Sequence, residues 1–423
     1  MSDAAADLPD AAGDVAHPKG RRSATLASGS VIVAAALALA QAFAYLVSVV
    51  AARALGPAQF GTLAAMLALI LIGNVVALGL QAVSARHLVN SPETQRGGIG
   101  RYLLRVGSVT GGWVFIATAL VAPALYWVLN LDGWLPLLWV GLTLVPLTWV
   151  GAQLGVAQGR EEYWRLAGVY ASVGVGRGVG GVIGAITGES APSALLGICV
   201  GTWIGAIIGR LLVGHLLAAK RIQVPRMLSE TLHATHALLA LFLLTNIDVV
   251  IARAILTPDE AGNYGVGSII TKVAFWLPQF VTVIAFPRLA DGRRNRALNV
   301  TLASVAALGV SVIVGAWLFP SLIVNLVGGP AYAGLVPIAW MFAAIGATFA
   351  LAQALLMARI AIDDRWAVMA LWASIGLLVT LALVFLPRTV TGLATSTLIA
   401  GGSLVAIGMV SAWRSPKHQA PTE

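Results

Sequence analysis

Twelve stretches of this sequence stay apolar for about 20 residues or more, the length that crosses the hydrocarbon core of a bilayer. They fall at 26–52, 59–85, 106–129, 134–158, 166–187 and 192–219, then at 234–256, 263–287, 299–326, 333–358, 367–387 and 390–412. A soluble core could not absorb so much apolar chain. Hydrophobic residues make up 59% of it, charged residues only 10%, and the mean hydropathy is +0.89. In lipid a helix satisfies its own backbone hydrogen bonds, so the expected fold is all-α and integral to a membrane.

The positive-inside rule orders these spans. With both termini in the cytoplasm, twenty Lys and Arg residues fall on inner segments and three, Arg53, Arg253 and Arg388, on outer ones. A miscounted span would scramble that alternation. The net charge of +9 therefore belongs to short loops on one side of a membrane, and no nucleic-acid partner is expected. Residues 1–25, acidic and then basic, read as a disordered cytoplasmic tail. Residues 220–232 read as a cytoplasmic linker, and 414–423 as a second cytoplasmic tail. The one cysteine, Cys199, sits inside an apolar run, and the six histidines form no HExxH or HxH pair. With no metal motif, no cofactor motif and no sizeable extramembrane domain, an enzyme is not expected.

The chain is written twice. Val49, Val50, Ala52, Arg53 and Ala54 recur as Val249, Val250, Ala252, Arg253 and Ala254, at an offset of 200. One inserted residue later, Leu55, Pro57 and Gly61 recur as Leu256, Pro258 and Gly262. Each copy closes an apolar run with an arginine, turns at a proline, and enters a second long run that ends at Arg86 or Arg288. Two related six-helix lobes follow, 26–219 and 233–413, and a membrane protein built from repeated halves is most often a transporter.

Charges inside the spans are few: Arg177, Arg210 and Lys272 against the single acid Asp248. A charge at the bilayer centre costs about 2.5 to 3.5 kcal/mol on insertion scales, so it faces a partner or a wet cavity. Ser268, Lys272 and Gln279 lie near one stripe of their helix, and Asn74 with Gln81, like Gln41 with Ser48, are seven apart and share a face. Spans 1, 2, 7 and 8 are thus the polar ones, as expected of helices lining a cavity between two lobes. Blander roles stand beside this. A lone Gln or Asn serves as interhelical glue. Asp248 neutralises Lys272 or Arg53 in a buried pair. Arg53 and Arg253 anchor lipid headgroups, and the run GVGRGVGGVIGAITG at 174–188 is a close-packing face.

The segments ARALGPAQFG, Asn246-Ile247-Asp248, AGNYGVGSIITK, IAFPRLA and GVAQGREEYWRLA resemble the Wzx-type polysaccharide flippases. That family exports lipid-linked oligosaccharides and belongs to the multidrug/oligosaccharidyl-lipid/polysaccharide exporter superfamily. The resemblance implies a MATE-like fold whose two lobes, related by a pseudo-two-fold axis, alternately open a central cavity to each side of the bacterial inner membrane. It implies a polyprenyl-pyrophosphate-linked oligosaccharide as substrate, and membrane lipids, a polysaccharide polymerase and other envelope-assembly proteins as partners. On this basis Arg53, Arg177, Arg253 and Lys272 are expected to attract the pyrophosphate. Gln41, Asn74, Gln81, Asn246 and Gln279 are expected to contact sugar hydroxyls, and Asp248 to orient Lys272 or to titrate as an H+ or Na+ coupling site. The alternatives are a cation-coupled multidrug exporter of the same fold, an integral-membrane glycosyltransferase or polymerase of the same pathway, and a non-transporting scaffold.

Overall fold

Chain reversals at prolines and glycines set the architecture of the computed structural model, which describes residues 19–217, 220, 222–223, 227–289, 294–360 and 365–414. Among them run fourteen α-helices. The first six are α1 (Lys19–Gly73), α2 (Val75–Val89), α3 (Glu93–Val128), α4 (Leu135–Gly159), α5 (Tyr163–Gly188) and α6 (Ala191–Gly214). The other eight are α7 (Met227–Leu244), α8 (Ile247–Ile255), α9 (Pro258–Leu289), α10 (Arg294–Leu318), α11 (Pro320–Val327), α12 (Ala339–Ile360), α13 (Arg365–Thr380) and α14 (Val390–Arg414). Most of the expected cytoplasmic tails, and parts of the expected linker, lie outside the described residues. The described helix begins at Lys19, within the segment read as tail.

The first copy of the repeated turn interrupts α1 at Gly56, whose φ of 71° suits glycine and few other residues. Pro57 then starts a new helical segment, where its missing N–H is no loss. The second copy reaches the same end by different chemistry. Leu256 is extended, and Thr257 and Glu260 form a capping box around Pro258, with Thr257 Oγ1 donating to Glu260 Oε2 at 2.8 Å.

Nine helices among the described residues are long and apolar enough to cross a membrane, or ten if Leu238–Leu244 and Ile247–Ile255 form one span bent by 43°. That is fewer than the twelve expected, because the elements are not one per apolar run. Gly29–Val89 counts as a single stretch of 61 residues. The run 234–256 is broken between α7 and α8, and 299–326 is broken before Pro320, which cannot donate a helical N–H.

Within the first half, α5 packs closely on α6 through glycines: a Cβ on Gly176 or Gly180 would overlap the carbonyl oxygen of Gly201 or Gly197. The glycine-rich run is a close-packing face, as expected. Among the nine spans in the described residues, Leu135–Gly159 and Pro330–Leu356, one in each half, are the most enclosed, with 67% of an 18-residue apolar stretch of each buried. The halves meet where α1 packs on α8 and α9, and where α2 packs on α7. At the first contact the two copies of the turn touch. A Cβ on Gly61 would lie 2.7 Å from the Gly262 backbone nitrogen, and one on Gly262 would overlap the Pro57 carbonyl. Backbone meets backbone there. Gly262→Val should therefore destabilise the protein by about 1 to 3 kcal/mol or more, the usual range for overpacking. The check is a lowered melting temperature in detergent. Gly112→Ala, with nothing near its new methyl, serves as the neutral control.

Candidate functional site

At the end where the two turns touch, each half reaches into the other with an arginine. Arg53 Nη2 donates to the carbonyls of Asn325 and Leu326, both at 2.8 Å. These belong to the last turn of α11, whose carbonyls have no helical partner and form the negative end of its dipole. Arg253 Nη2 donates to the carbonyl of Asn130 at 2.9 Å, just past the end of α3, and its Nε reaches Thr62 Oγ1 at 3.3 Å. Asn130 has a φ of 47°, a left-handed residue closing the helix. The repeated arginines thus make equivalent bonds in opposite directions. Tyr332 adds a bond from its hydroxyl to the Ala52 carbonyl at 3.0 Å and packs edge-on against Phe60.

At the opposite end the halves meet through charge. Glu230, in the first turn of α7, accepts from Arg86 Nη2 and pairs with His87 Nε2, both at 2.8 Å. The hydrogen bond with His87, and then Arg86, hold this exposed carboxyl below the usual carboxylate range. Behind it, α2 and α7 approach closely at Gly79, where a Cβ would overlap Thr235 Oγ1.

Between the two ends lie two polar groups, one in each half. In the first, Gln81 on α2 donates through Nε2 to Gln158 Oε1 and to the Tyr170 hydroxyl, both at 2.9 Å. Tyr170 and Arg177 are seven residues apart on α5 and share a face, and Arg177 is half-buried. Gln41 on α1 is also half-buried, next to Ala40, which abuts Gly174 of α5. Asn74 sits at the junction of α1 and α2 and makes no side-chain cap.

In the second group Asp248 is buried at the start of α8, where a carboxylate is favoured by the helix dipole. Its Oδ2 accepts from the Tyr264 hydroxyl at 2.9 Å, and that hydroxyl also contacts Thr397 Oγ1 at 3.1 Å. Lys272 is half-buried and close enough to act on Asp248 electrostatically, but no ion pair joins them among the described residues. Asn246 donates back to the Phe242 carbonyl at 2.9 Å, closing the end of α7 at the break. Asp248 Oδ1 and Asn246 Oδ1 are buried without a side-chain hydrogen-bond partner. Oxygen acceptors left open in this way suit a proton or a hard cation.

Of the residues picked from sequence, the structure ties Gln81 into the first group and places Asn246, Asp248 and Lys272 around the second. Arg53 and Arg253 lie at the end, bonded to carbonyls. The side chain of Gln279 lies outside the described residues. Gln158, Tyr170, Tyr264, Thr397 and Glu230 carry contacts that spacing did not reveal. Tyr264, four residues before Ser268 on the polar stripe, was the one with a periodic signal.

The profile of a family described as polysaccharide biosynthesis proteins matches residues 26–293. No curated protein matches the sequence. Among solved structures, the fold resembles the lipid II flippase MurJ in an inward closed conformation, with a TM-score of 0.72 and 12% identity over 91% of this chain and 88% of that one. It resembles an inward-facing MATE-family multidrug resistance transporter of the MOP superfamily, with a TM-score of 0.67 and 12% identity over 91% and 96%. It also resembles a MOP-superfamily transporter from Pyrococcus furiosus described as having a binding pocket of reversed polarity, with a TM-score of 0.57 and 12% identity over 92% and 96%. The protein is a multi-pass membrane protein with a MATE-like fold.

Because the Glu230 carboxyl is depressed, its attraction for Arg86 and His87 is present above the usual carboxylate range. It is lost only as pH falls through the lowered value. Spin labels at Val89 on α2 and His236 on α7 should therefore keep one distance from neutral to mildly acidic pH and separate in stronger acid. Glu230→Gln should separate them at every pH, and an unchanged distance distribution would show that the clasp does not hold this end.

Proposed function

The chain belongs to the polysaccharide biosynthesis protein family, and on that premise we propose that it is a flippase for a polyprenyl-pyrophosphate-linked oligosaccharide. It moves the headgroup from the cytoplasmic to the outer leaflet by alternating access and serves cell-surface polysaccharide assembly. The observation that carries this proposal is the reciprocal clamp at one end: Arg53 on α11, Arg253 on α3. Beside the backbone contact of the two turns, arginine bonds that can break and re-form give the bistable contact that alternating access requires.

The moving bodies are the lobes 26–219 and 233–413. Twelve spans result when Gly29–Val89 crosses twice, turning at Gly56, when α7 and α8 are one bent span, and when α9 is a span. A helix of 61 residues would be about 90 Å long, three bilayer cores, which supports the first of these counts. Both termini lie in the cytoplasm of a bacterial inner membrane, the twelve-span reading that leaves the fewest basic residues outside.

Between the lobes Arg177 and Lys272 supply the positive bias that a pyrophosphate needs on a path through hydrocarbon. Gln41, Asn74, Gln81, Asn246 and Gln279 offer amides to sugar hydroxyls. Arg53 and Arg253 join the path late: opening of the outer end frees them from carbonyls, and a pyrophosphate takes their place. Asp248, with its open oxygen, is the H+ or Na+ coupling site. A polysaccharide polymerase and other envelope proteins receive the product.

The test is the leaflet in which lipid-linked glycan accumulates when cells are depleted of the protein. Headgroups trapped on the cytoplasmic side support a flippase. A normal distribution, with new sensitivity to cationic dyes, points instead to a multidrug exporter. In the same cells the double variant Arg177→Ala, Lys272→Ala should reduce rescue by about tenfold or more, as expected from lost charge-assisted contacts of 1.5 to 3 kcal/mol each. Full rescue excludes the cationic path. Asp248→Asn with full activity excludes it as the coupling site. Arg53→Gln and Arg253→Gln together should shift the outer end toward open by about tenfold or more. Spin labels at Ala54 and Thr257 read that shift.

A further inference from the structure

At the end where the two turns touch, the break in α1 and the end of α11 enclose a cavity of about 330 Å³. Cavities of that size hold small ligands. Its wall contains two turns of one kind. Gly56, with a φ of 71°, precedes Pro57, and Gly329, with a φ of 87°, precedes Pro330. Pro57 restarts α1, and Pro330 opens the short 3-10 helix Pro330–Ile338. First-turn N–H groups of such segments have no helical partner and carry partial positive charge. Two positive helix ends thus open on one hollow, and no carboxylate is among its lining residues.

Arg53 also lines this hollow, and a Cβ on Gly329 would lie 3.9 Å from its Cγ. Its guanidinium is partnered, but by the neutral carbonyls of Asn325 and Leu326. Both of those residues are exposed at the end of α11, so their carbonyls can pass to water when the arginine leaves. A phosphate group, ionised and able to accept two parallel bonds, is the stronger partner for a guanidinium. Beside the cavity the surface is apolar. Phe319, Leu322 and Leu326 are exposed, and spacings of three and four put them on one face of α11. In a membrane such a face lies against lipid chains.

We propose that this cavity is the exit subsite of the transport path. The diphosphate of a lipid-linked sugar sits between the two glycine–proline turns, and its prenyl chain lies along the exposed face of α11. The inference depends on the flippase reading and adds to it the place and direction of release, sideways beside α11. Diphosphate oxygens accept from the first-turn N–H groups and from Arg53, which then lets go of Asn325 and Leu326. Docking in the cavity and loosening of the clamp are one event.

The test is isothermal titration calorimetry of the full chain in dodecyl maltoside, with inorganic pyrophosphate and separately with undecaprenyl diphosphate. The Arg177→Ala, Lys272→Ala background removes the cations of the path, so that the binding that is left reports this cavity. Ala331→Trp fills the cavity and leaves both acceptors of Arg53 in place. It should weaken binding about tenfold or more, as should Arg53→Gln, and Arg53→Lys should recover part of the loss because it keeps the charge. Weakening for both probes places the diphosphate itself in the cavity, and weakening for undecaprenyl diphosphate alone shows that the chain on α11 is needed as well. Weakening for pyrophosphate alone overturns the exit route, since a free anion then reaches the cavity and the lipid does not. Asn325→Asp, which sets a carboxylate on the same wall, gives the same readout should Ala331→Trp fail to elute as a single folded species. Affinities unchanged by these variants, or no binding of either probe, overturn the proposal. That failure leaves the flippase reading standing, because the leaflet assay in depleted cells reads transport and not this cavity.

Discussion

The approach of Gly61 to Gly262 sets the geometry on which the rest depends. Two helices can bring their backbones together only where no Cβ intervenes, and here each copy of the repeated turn contributes a glycine that leaves room for the other. That contact fixes where α1 and α9 cross. It also fixes the distance across which an arginine at the end of one half meets a helix end in the other. Neither arginine finds its partner in its own half. Each needs a helix terminus with orphan carbonyls, and α3 and α11 end at the right places to offer them. A duplicated sequence has become a reciprocal contact because the two copies face one another.

The two polar groups between the ends are not copies. In the first half Gln81, Gln158 and Tyr170 satisfy one another, leaving Arg177 as the charge on that face. In the second half Asp248 is served by a tyrosine and keeps one oxygen open, and Lys272 acts on it without an ion pair. One half carries a positive charge among satisfied amides and the other an acid with spare acceptors. Symmetry governs the frame, and chemistry departs from it at the centre.

The all-α, multi-pass membrane fold was legible in the sequence because apolar length carries its own physical meaning, and the Pro–Gly repeat marked the two turns that touch. The glycine-rich run at 174–188 read correctly as a packing face for the same reason: small residues at helical spacing have one common use in lipid. The breaks were less legible. Asn246 and Pro320 interrupt runs that hydropathy shows as continuous, since hydropathy does not register a lost helical hydrogen bond. The partners of Arg53 and Arg253 could not be read at all. They are backbone carbonyls, which every residue possesses, and only the fold decides which ones stand without a partner at a helix end. Tyr264 was hidden differently: its ring counts as apolar in a pattern search, while its hydroxyl is the group that meets Asp248.

Carbonyls suit this contact better than carboxylates would. An arginine paired with an acid in a partly desolvated crevice leaves two charges unpaired when the crevice opens, and breaking a buried pair costs about 3 to 5 kcal/mol. An arginine on a carbonyl would leave only one. A hydrogen bond to a charged group is worth about 1.5 to 3 kcal/mol when sheltered and less where water competes, as at the exposed Arg53, so the three shorter bonds of Arg53 and Arg253 together amount to a few kcal/mol. Moving a two-state equilibrium from 1:99 to 99:1 takes about 5.5 kcal/mol. In the proposed transport cycle, a clamp of that size would bias which end is closed and still leave a ligand able to reverse it. A pyrophosphate is the better acceptor for a guanidinium than a neutral carbonyl, so in the proposed cycle the anionic substrate would itself loosen the clamp.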